Sequence, residues 1–323
     1  TTIANGTLNL GAASAISSSG NITFSGGTLQ YSTSNQADYS SRFSTADSQQ
    51  YKIDTNSQNI TLASALTSNN GTLVKYGSGT LTLTNSNTFT GNTTIEAGTL
   101  SIGNAGTAGT LASANVINNG TLQFNRSDAN SYSGNLSGTG ALTKLLSSIT
   151  TLSGNLSYTG NTAVTGGLVM TGATVDLSGA ITGAGDLTIK PSTSTGTLAL
   201  GSASGSTHVT SQTINNVNIT GAFTLGRSDG TGNINYADSG TLSWKAANTS
   251  IVSSTGNISL TGPMTMNGSL AVTTAGNISL GTSINSNSTQ TYSGPIVLTA
   301  ATTLTGTTIN TGSTVAGGGY NLS

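Results

Sequence analysis

The side chains that do acid, base or nucleophilic chemistry are scarce in these 323 residues, and they do not cluster. There is one histidine, His208, in Gly-Ser-Ala-Ser-Gly-Ser-Thr-His-Val-Thr. Serine is so abundant that any histidine has one nearby, and no G-x-S-x-G elbow marks a nucleophile. His208 therefore reads as a surface or strand residue. The nine acids are Asp38, Asp47, Asp54, Glu96, Asp128, Asp176, Asp186, Asp229 and Asp238, and no two lie within five residues. β-Helical enzymes that cut polysaccharides use clustered carboxylates, for proton transfer or for calcium. Here only folding could create such a pair, from Asp176 with Asp186 or Asp229 with Asp238. Zero cysteines exclude disulfides, thiolate chemistry and Cys-type metal sites. The calcium-binding glycine-aspartate nonapeptide is also absent. No catalytic, cofactor or metal residue is assigned.

Residues 31–59 differ from their surroundings. They hold five charges (Asp38, Arg42, Asp47, Lys52, Asp54) and four aromatics (Tyr31, Tyr39, Phe43, Tyr51) in 29 residues. One reading is a surface excursion folded against the scaffold, its aromatics covering a groove. The other is a recognition patch, because aromatics mixed with arginine on a projecting loop suit partner contact. Tyr39, Arg42, Phe43 and Asp47 are the candidate partner-binding residues.

The elements that must position these groups are legible from the rest. Only 5% of residues are charged and the net charge is −1, against about 25% charged in ordinary domains. That leaves no electrostatic footprint for nucleic acid or anionic lipid. No apolar run is long enough for a membrane-spanning helix. The chain starts Thr1-Thr2 without a signal-like segment, so any export signal or anchor is expected outside it.

Self-similarity decides the fold. Gly-Thr-Leu occurs nine times, and Gly134-Asn-Leu-Ser and Gly256-Asn-Ile-Ser-Leu each recur 20 residues later. A longer duplication relates Gly71–Leu100 to Gly140–Val169 at an offset of 69. Leu81 and Leu83, or Ile258 and Leu260, alternate with small polar residues, the period-2 signature of half-buried strands. Threonine and β-branched residues favour strands, and Gly-Asn clusters supply turns. A propeller would need longer blades with aromatic signatures, and only one tryptophan, Trp244, is present. The expectation is an all-β, right-handed parallel β-helix (solenoid) of about 14 coils of 19–23 residues. Residues 1–323 would form one continuous β-helix within a larger repeat protein, with the excursion at 31–59.

Stacking also accounts for the missing charge. Equivalent positions on successive coils sit about 4.8 Å apart. Like charges at that distance repel by about 0.9 kcal/mol even at the dielectric of water. Ser, Thr and Asn avoid this, and asparagine ladders can hydrogen-bond along the stack.

At Gly71, Leu73, Lys75, Gly77, Gly79, Thr80, Leu81 and Leu83, then Asn87, Phe89, Gly91, Thr93, Gly98 and Leu100, the chain resembles the passenger-associated repeat of bacterial autotransporters. The second copy departs from that pattern, with Leu146 and Ser148 in place of two glycines. Residues 250–323 look more like the haemagglutinin-type repeats of large exported surface proteins. The resemblance implies a β-helical stalk, secreted or tethered to the outer membrane.

The functional expectation is a non-enzymatic, extracellular stalk with structural and adhesive roles. Its partners would be a cell surface, a glycan or matrix ligand, or neighbouring copies of itself. A self-assembling filament or coat subunit is the alternative, and a polysaccharide-active enzyme a lesser one. Thr80-Leu-Thr82-Leu-Thr84 resembles the threonine arrays of ice-binding β-helices, but the run is not repeated at Ile149–Leu152.

Overall fold

Short parallel strands make up nearly all the regular structure in a computed structural model that describes residues 1–323. The exceptions are α1 (Ser211–Asn215) and a 3-10 turn at Ser40–Arg42. The architecture is an all-β parallel solenoid of about 16 turns, somewhat more than the 14 expected. It divides into two compact units, Thr1–Thr150 with Tyr158–Gly160, and Thr151–Ser157 with Asn161–Ser323.

In the first unit one face stacks Thr7–Asn9, Thr28–Gln30, Gln50–Asp54, Thr72–Tyr76, Thr93–Ile95, Asn115–Asn118 and Asn135–Gly138. A second face stacks Ile60–Leu62, Thr80–Leu83, Thr99–Ile102, Thr121–Phe124 and Ala141–Lys144. Period-2 alternation selects the core. Leu81, Leu100, Leu122 and Leu142 share one column and are fully buried. Each such leucine contributes roughly 1.5–3 kcal/mol of burial free energy. The alternate residues Thr82, Ser101, Gln123 and Thr143 stack beside them on the opposite side of the sheet. An amide ladder forms as expected: Asn135 donates to Asn115 at 2.9 Å and Asn115 to Asn92 at 3.0 Å.

The structure also places the repeated sequences. Gly-Thr-Leu marks the start of a strand on any face, not the start of a coil. Thr72 and Thr80 open strands on the first and second faces of a single turn. The long duplication likewise does not superpose whole coils. Three turns carry Leu73 through Thr93 and Val116 to Leu136, which falls short of the 69-residue offset. The second copy has moved on by one face, so Thr72–Tyr76 lies on the first face and its copy Ala141–Lys144 on the second. The stacked neighbours of Thr80 and Thr82 are therefore Thr99 and Ser101, not residues of Ile149–Leu152.

The excursion at 31–59 is also narrower than expected. Gln50–Asp54 is a full rung between Thr28–Gln30 and Thr72–Tyr76, and Phe43 bridges Ile22. Tyr31, Tyr39, Phe43 and Tyr51 are all buried. Phe43 meets Phe24 edge-on at 4.9 Å, and Tyr51 meets Phe89 at 6.4 Å. Phe43 and Tyr51 fill the interior with rings that each bury a large apolar area.

The second unit repeats the scheme. Ile258, Ile278 and Ile296 stack in one buried column, and Leu168, Leu187, Phe223, Thr249 and Leu270 in another. It also contains an irregular turn. Leu198–Gly201 and Thr207–Val209 pair with each other and add a rung to one face. On another face Leu187 pairs directly with Phe223. The extra residues between them make the added rung and α1, which Thr210 caps by accepting from the Thr213 N–H.

Leu146 takes the place of the turn glycine Gly77. Gly77 has φ 77°, and Leu146 keeps the left-handed turn with φ 61°. A β-carbon there costs about 1–2 kcal/mol. Leu146→Gly should raise stability by about 1 kcal/mol in urea unfolding, after the extra freedom of unfolded glycine is subtracted; an unchanged or lower midpoint would refute the strain.

Thr99 and Thr121 stack in register with neither buried. A double-mutant cycle with Thr99→Asp and Thr121→Asp should show unfavourable coupling of about 0.9 kcal/mol at low salt. In about 1 M salt it should largely vanish. Additive effects at low salt would remove stacking repulsion as the reason for the low charge.

Candidate functional site

Between Tyr31 and Gln50 the chain leaves the strand ladder except for the single bridge of Phe43 to Ile22, crossing the 3-10 turn Ser40–Arg42 before it returns. The polar segment Ala12–Gly20, which lacks period-2 alternation, lies across from that turn. The two flank an open cleft of about 510 Å³ lined by Ala13, Ser14, Ile16, Ser17, Ser18, Asp38, Tyr39 and Arg42.

Arg42 holds the walls together. Its Nε donates to the Gly20 carbonyl at 2.9 Å, Nη1 to Ser17 at 2.6 Å and Nη2 to Ser19 at 2.9 Å. The guanidinium carbon lies 5.8 Å from the centre of the Tyr39 ring, within cation–π range. Asn35 ties the other side, donating to the Ala12 carbonyl at 2.8 Å and exchanging hydrogen bonds with the Tyr39 hydroxyl. Asp38 accepts from the Ser40 N–H at 2.8 Å and the Ala63 N–H at 2.9 Å. The buried hydroxyl of Tyr31 has no hydrogen-bond partner. Burial, then the charges of Asp38 and Tyr39, push its pKa well above that of a free tyrosine.

Of the four candidate residues, the structure brings Tyr39 and Arg42 together at the cleft. Phe43 is buried and packs against Phe24 and Tyr51. Asp47 is exposed and does not line the cleft. Sequence reasoning missed Asp38 as a wall residue, and it missed Asn35 and the whole Ala13–Ser18 wall. Only the lapse of alternation in Ala12-Ala-Ser-Ala-Ile-Ser-Ser-Ser-Gly20 could have pointed to the latter.

His208 and the four acids that folding could have paired are engaged with the scaffold. His208 donates through Nε2 to the Gly201 carbonyl at 2.7 Å, on the added rung. Asp176 accepts from Thr210 at 3.0 Å, and Asp186 from the Ala222 N–H at 2.8 Å. Asp229 pairs with Arg227 at 2.8 Å. Asp238 accepts from Ser211, and that hydrogen bond holds its carboxyl below the usual range. A general acid at neutral pH needs the opposite shift.

Lys75 is fully buried without an ion-pair partner. Its Nζ, with three N–H donors, lies within hydrogen-bond distance of Thr55 Oγ1 at 3.0 Å and of the carbonyls of Tyr76, Gly77 and Ala97 at 2.9, 2.6 and 3.1 Å, joining three successive turns. Lys144 binds Leu145 and Leu146 in the same way one face on. Burial lowers the Lys75 pKa to about 8, and that of Lys144 in the same direction. Burial also raises the phenols of Tyr132 and Tyr236 to about 12.

Comparison with known proteins locates the repeat. Residues 73–102 match the family model of the passenger-associated-transport-repeat, the segment read as that repeat from its glycines, leucines and Lys75. A relative described as an adhesin, the BmaC autotransporter of Brucella suis biovar 1 (strain 1330), is 54% identical over 69 residues. That alignment covers 21% of this chain and 2% of the relative, so the chain matches only a small part of it. No solved structure matches the chain.

The shifts fix a pH profile. Between about 8 and 10.5 the unfolded chain holds the Lys75 proton that the folded chain has lost, so stability rises with pH. Above 10 the folded state keeps phenolic protons that the unfolded state releases, so stability falls. Denaturant unfolding should place the maximum near pH 10. Lys75→Met should shrink the rise and leave the fall, the remainder of the rise belonging to Lys144. A wild-type profile without a rise above pH 8 would contradict the assignment.

Proposed function

We propose that this chain is a non-enzymatic β-helical stalk segment of an exported bacterial surface protein, with structural and adhesive roles. The observation that carries the reading is a charge-poor parallel solenoid in which residues 73–102 match a passenger-associated-transport-repeat. The 54% identity of one stretch to an autotransporter adhesin supports the adhesive part. The engagement of Asp176, Asp186, Asp229 and Asp238 as acceptors within the scaffold supports the non-enzymatic part. On this reading the solenoid acts outside the cell, held at the surface, and contacts a host cell, a matrix or a glycan. Tyr39 and Arg42, at the walls of the cleft, are the residues through which it would make that contact.

Beads coated with the purified chain test this. They should be retained on epithelial monolayers or on an extracellular-matrix film well above albumin-coated beads. Retention no better than albumin on every surface would remove adhesion and leave a spacer.

A further inference from the structure

We propose that the cleft between Ala13–Ser18 and Asp38–Arg42 binds a neutral sugar ring, the terminal pyranose of a glycan. The proposal rests on the adhesive reading and gives it a site and a ligand class.

Size and surface agree. The cleft holds about 510 Å³, within the roughly 300–1,000 Å³ of small-ligand sites. Its wall is amphipathic at the scale of one ring. Ala13 and the small exposed parts of the buried Ile16 and Tyr39 are apolar, while Ser14, Ser17, Ser18, Asp38 and Arg42 supply hydroxyls, a carboxylate and a guanidinium. A pyranose has the matching character, with C–H faces and a rim of hydroxyls that each donate and accept. Asp38 can only accept and Arg42 can only donate, so together they serve the two roles of a hydroxyl.

Charge narrows the class. An anionic ligand attracted by Arg42 would meet the Asp38 carboxylate in the same cleft. An apolar ligand would strip water from both charges without replacing its hydrogen bonds. A neutral, hydroxyl-rich ligand satisfies both.

The cleft is also pre-organised. Arg42 fixes the Ser17–Gly20 wall through three carbonyls, and Asn35 fixes the Ala12 side to the Tyr39 hydroxyl. Less ordering remains to be done on binding.

Nuclear magnetic resonance titration of the intact chain tests the proposal. The probes are the methyl glycosides of glucose, galactose, mannose and N-acetylglucosamine, with methyl glucuronide as the charged counterpart. At least one neutral glycoside should bind saturably in about the millimolar range, and the glucuronide more weakly. Ser14→Trp fills the cleft from an exposed position and should cost about tenfold or more in affinity; Asp38→Asn should do likewise. Unfolding midpoints near wild type for either variant show that the scaffold is intact. Binding the same sugar more tightly as the terminus of an immobilised oligosaccharide identifies a glycan end as the target. Equal binding of the free sugar would overturn that part.

No saturable binding, undiminished binding in both folded variants, or preference for glucuronide overturns the site. The bead assay separates the two readings. If Ser14→Trp beads adhere as wild type does, the cleft proposal falls and adhesion stands. If wild-type beads fail while the sugar binds, adhesion falls and the cleft stands.

Discussion

Within each unit the structure depends on one constraint: every side chain on a ladder must tolerate its counterpart about 4.8 Å above and below. Leucine and isoleucine do so by packing, threonine by fitting the pleat, and asparagine by donating to the next asparagine, as Asn92, Asn115 and Asn135 do. Like charges do not: most charged residues lie outside the strands, those on a rung (Lys52, Asp54, Lys75, Lys144) stack on uncharged neighbours, and most of them bond to backbone groups at the turns. Lys52 donates to Gly26, Lys75 to Tyr76, Gly77 and Ala97, Arg42 to Ser17, Ser19 and Gly20, Arg126 to Thr107 and Gly109, and Arg227 to Pro191 and Ser192. Asp38, Asp54 and Asp186 accept from backbone N–H groups in the same way. The few ionic groups satisfy the backbone where strands stop and the ladder no longer can.

That division explains the buried lysines. An ammonium in an apolar interior is costly, yet a turn lined with carbonyls needs donors. Lys75 supplies them to three turns at once, and the depressed pKa reflects what burial still costs. The motif survives in a second copy where its glycine does not. Leu146 holds the left-handed backbone of Gly77, and the Lys144 ammonium remains bound to the carbonyls of that turn.

The strands, their buried faces and the coil length were legible because period-2 alternation and a repeat near 20 residues are local properties. Face assignment was not. Strand, glycine turn and strand form a unit that fits any two adjacent faces, so the second copy at Ala141–Lys144 sits one face round from Thr72–Tyr76. The added rung at Leu198–Val209 was hidden because its strands alternate like any other. At 31–59, composition marked a segment that departs from the ladder in part, and only some of its chemistry lines the cleft. Phe43 and Tyr51 are aromatic because the core there takes large rings, whereas Tyr39 and Arg42 meet at a wall.

The cleft and the relaxed composition have one cause. A ladder residue cannot easily carry a charge or be matched to a ligand, since its stacked neighbours must change with it. A segment that leaves the ladder is free of that rule, and Ala12–Gly20 and Ser32–Gln49 are two such segments on adjacent turns. Asp38 and Arg42 can therefore stand within one cleft, each bonded to the backbone of another turn rather than stacked on a copy of itself. A solenoid built this way keeps its ladders nearly free of charge and leaves charged, irregular surface to its interruptions. The residues that break the repeat, rather than those that define it, are where differences in what such a chain binds should be sought.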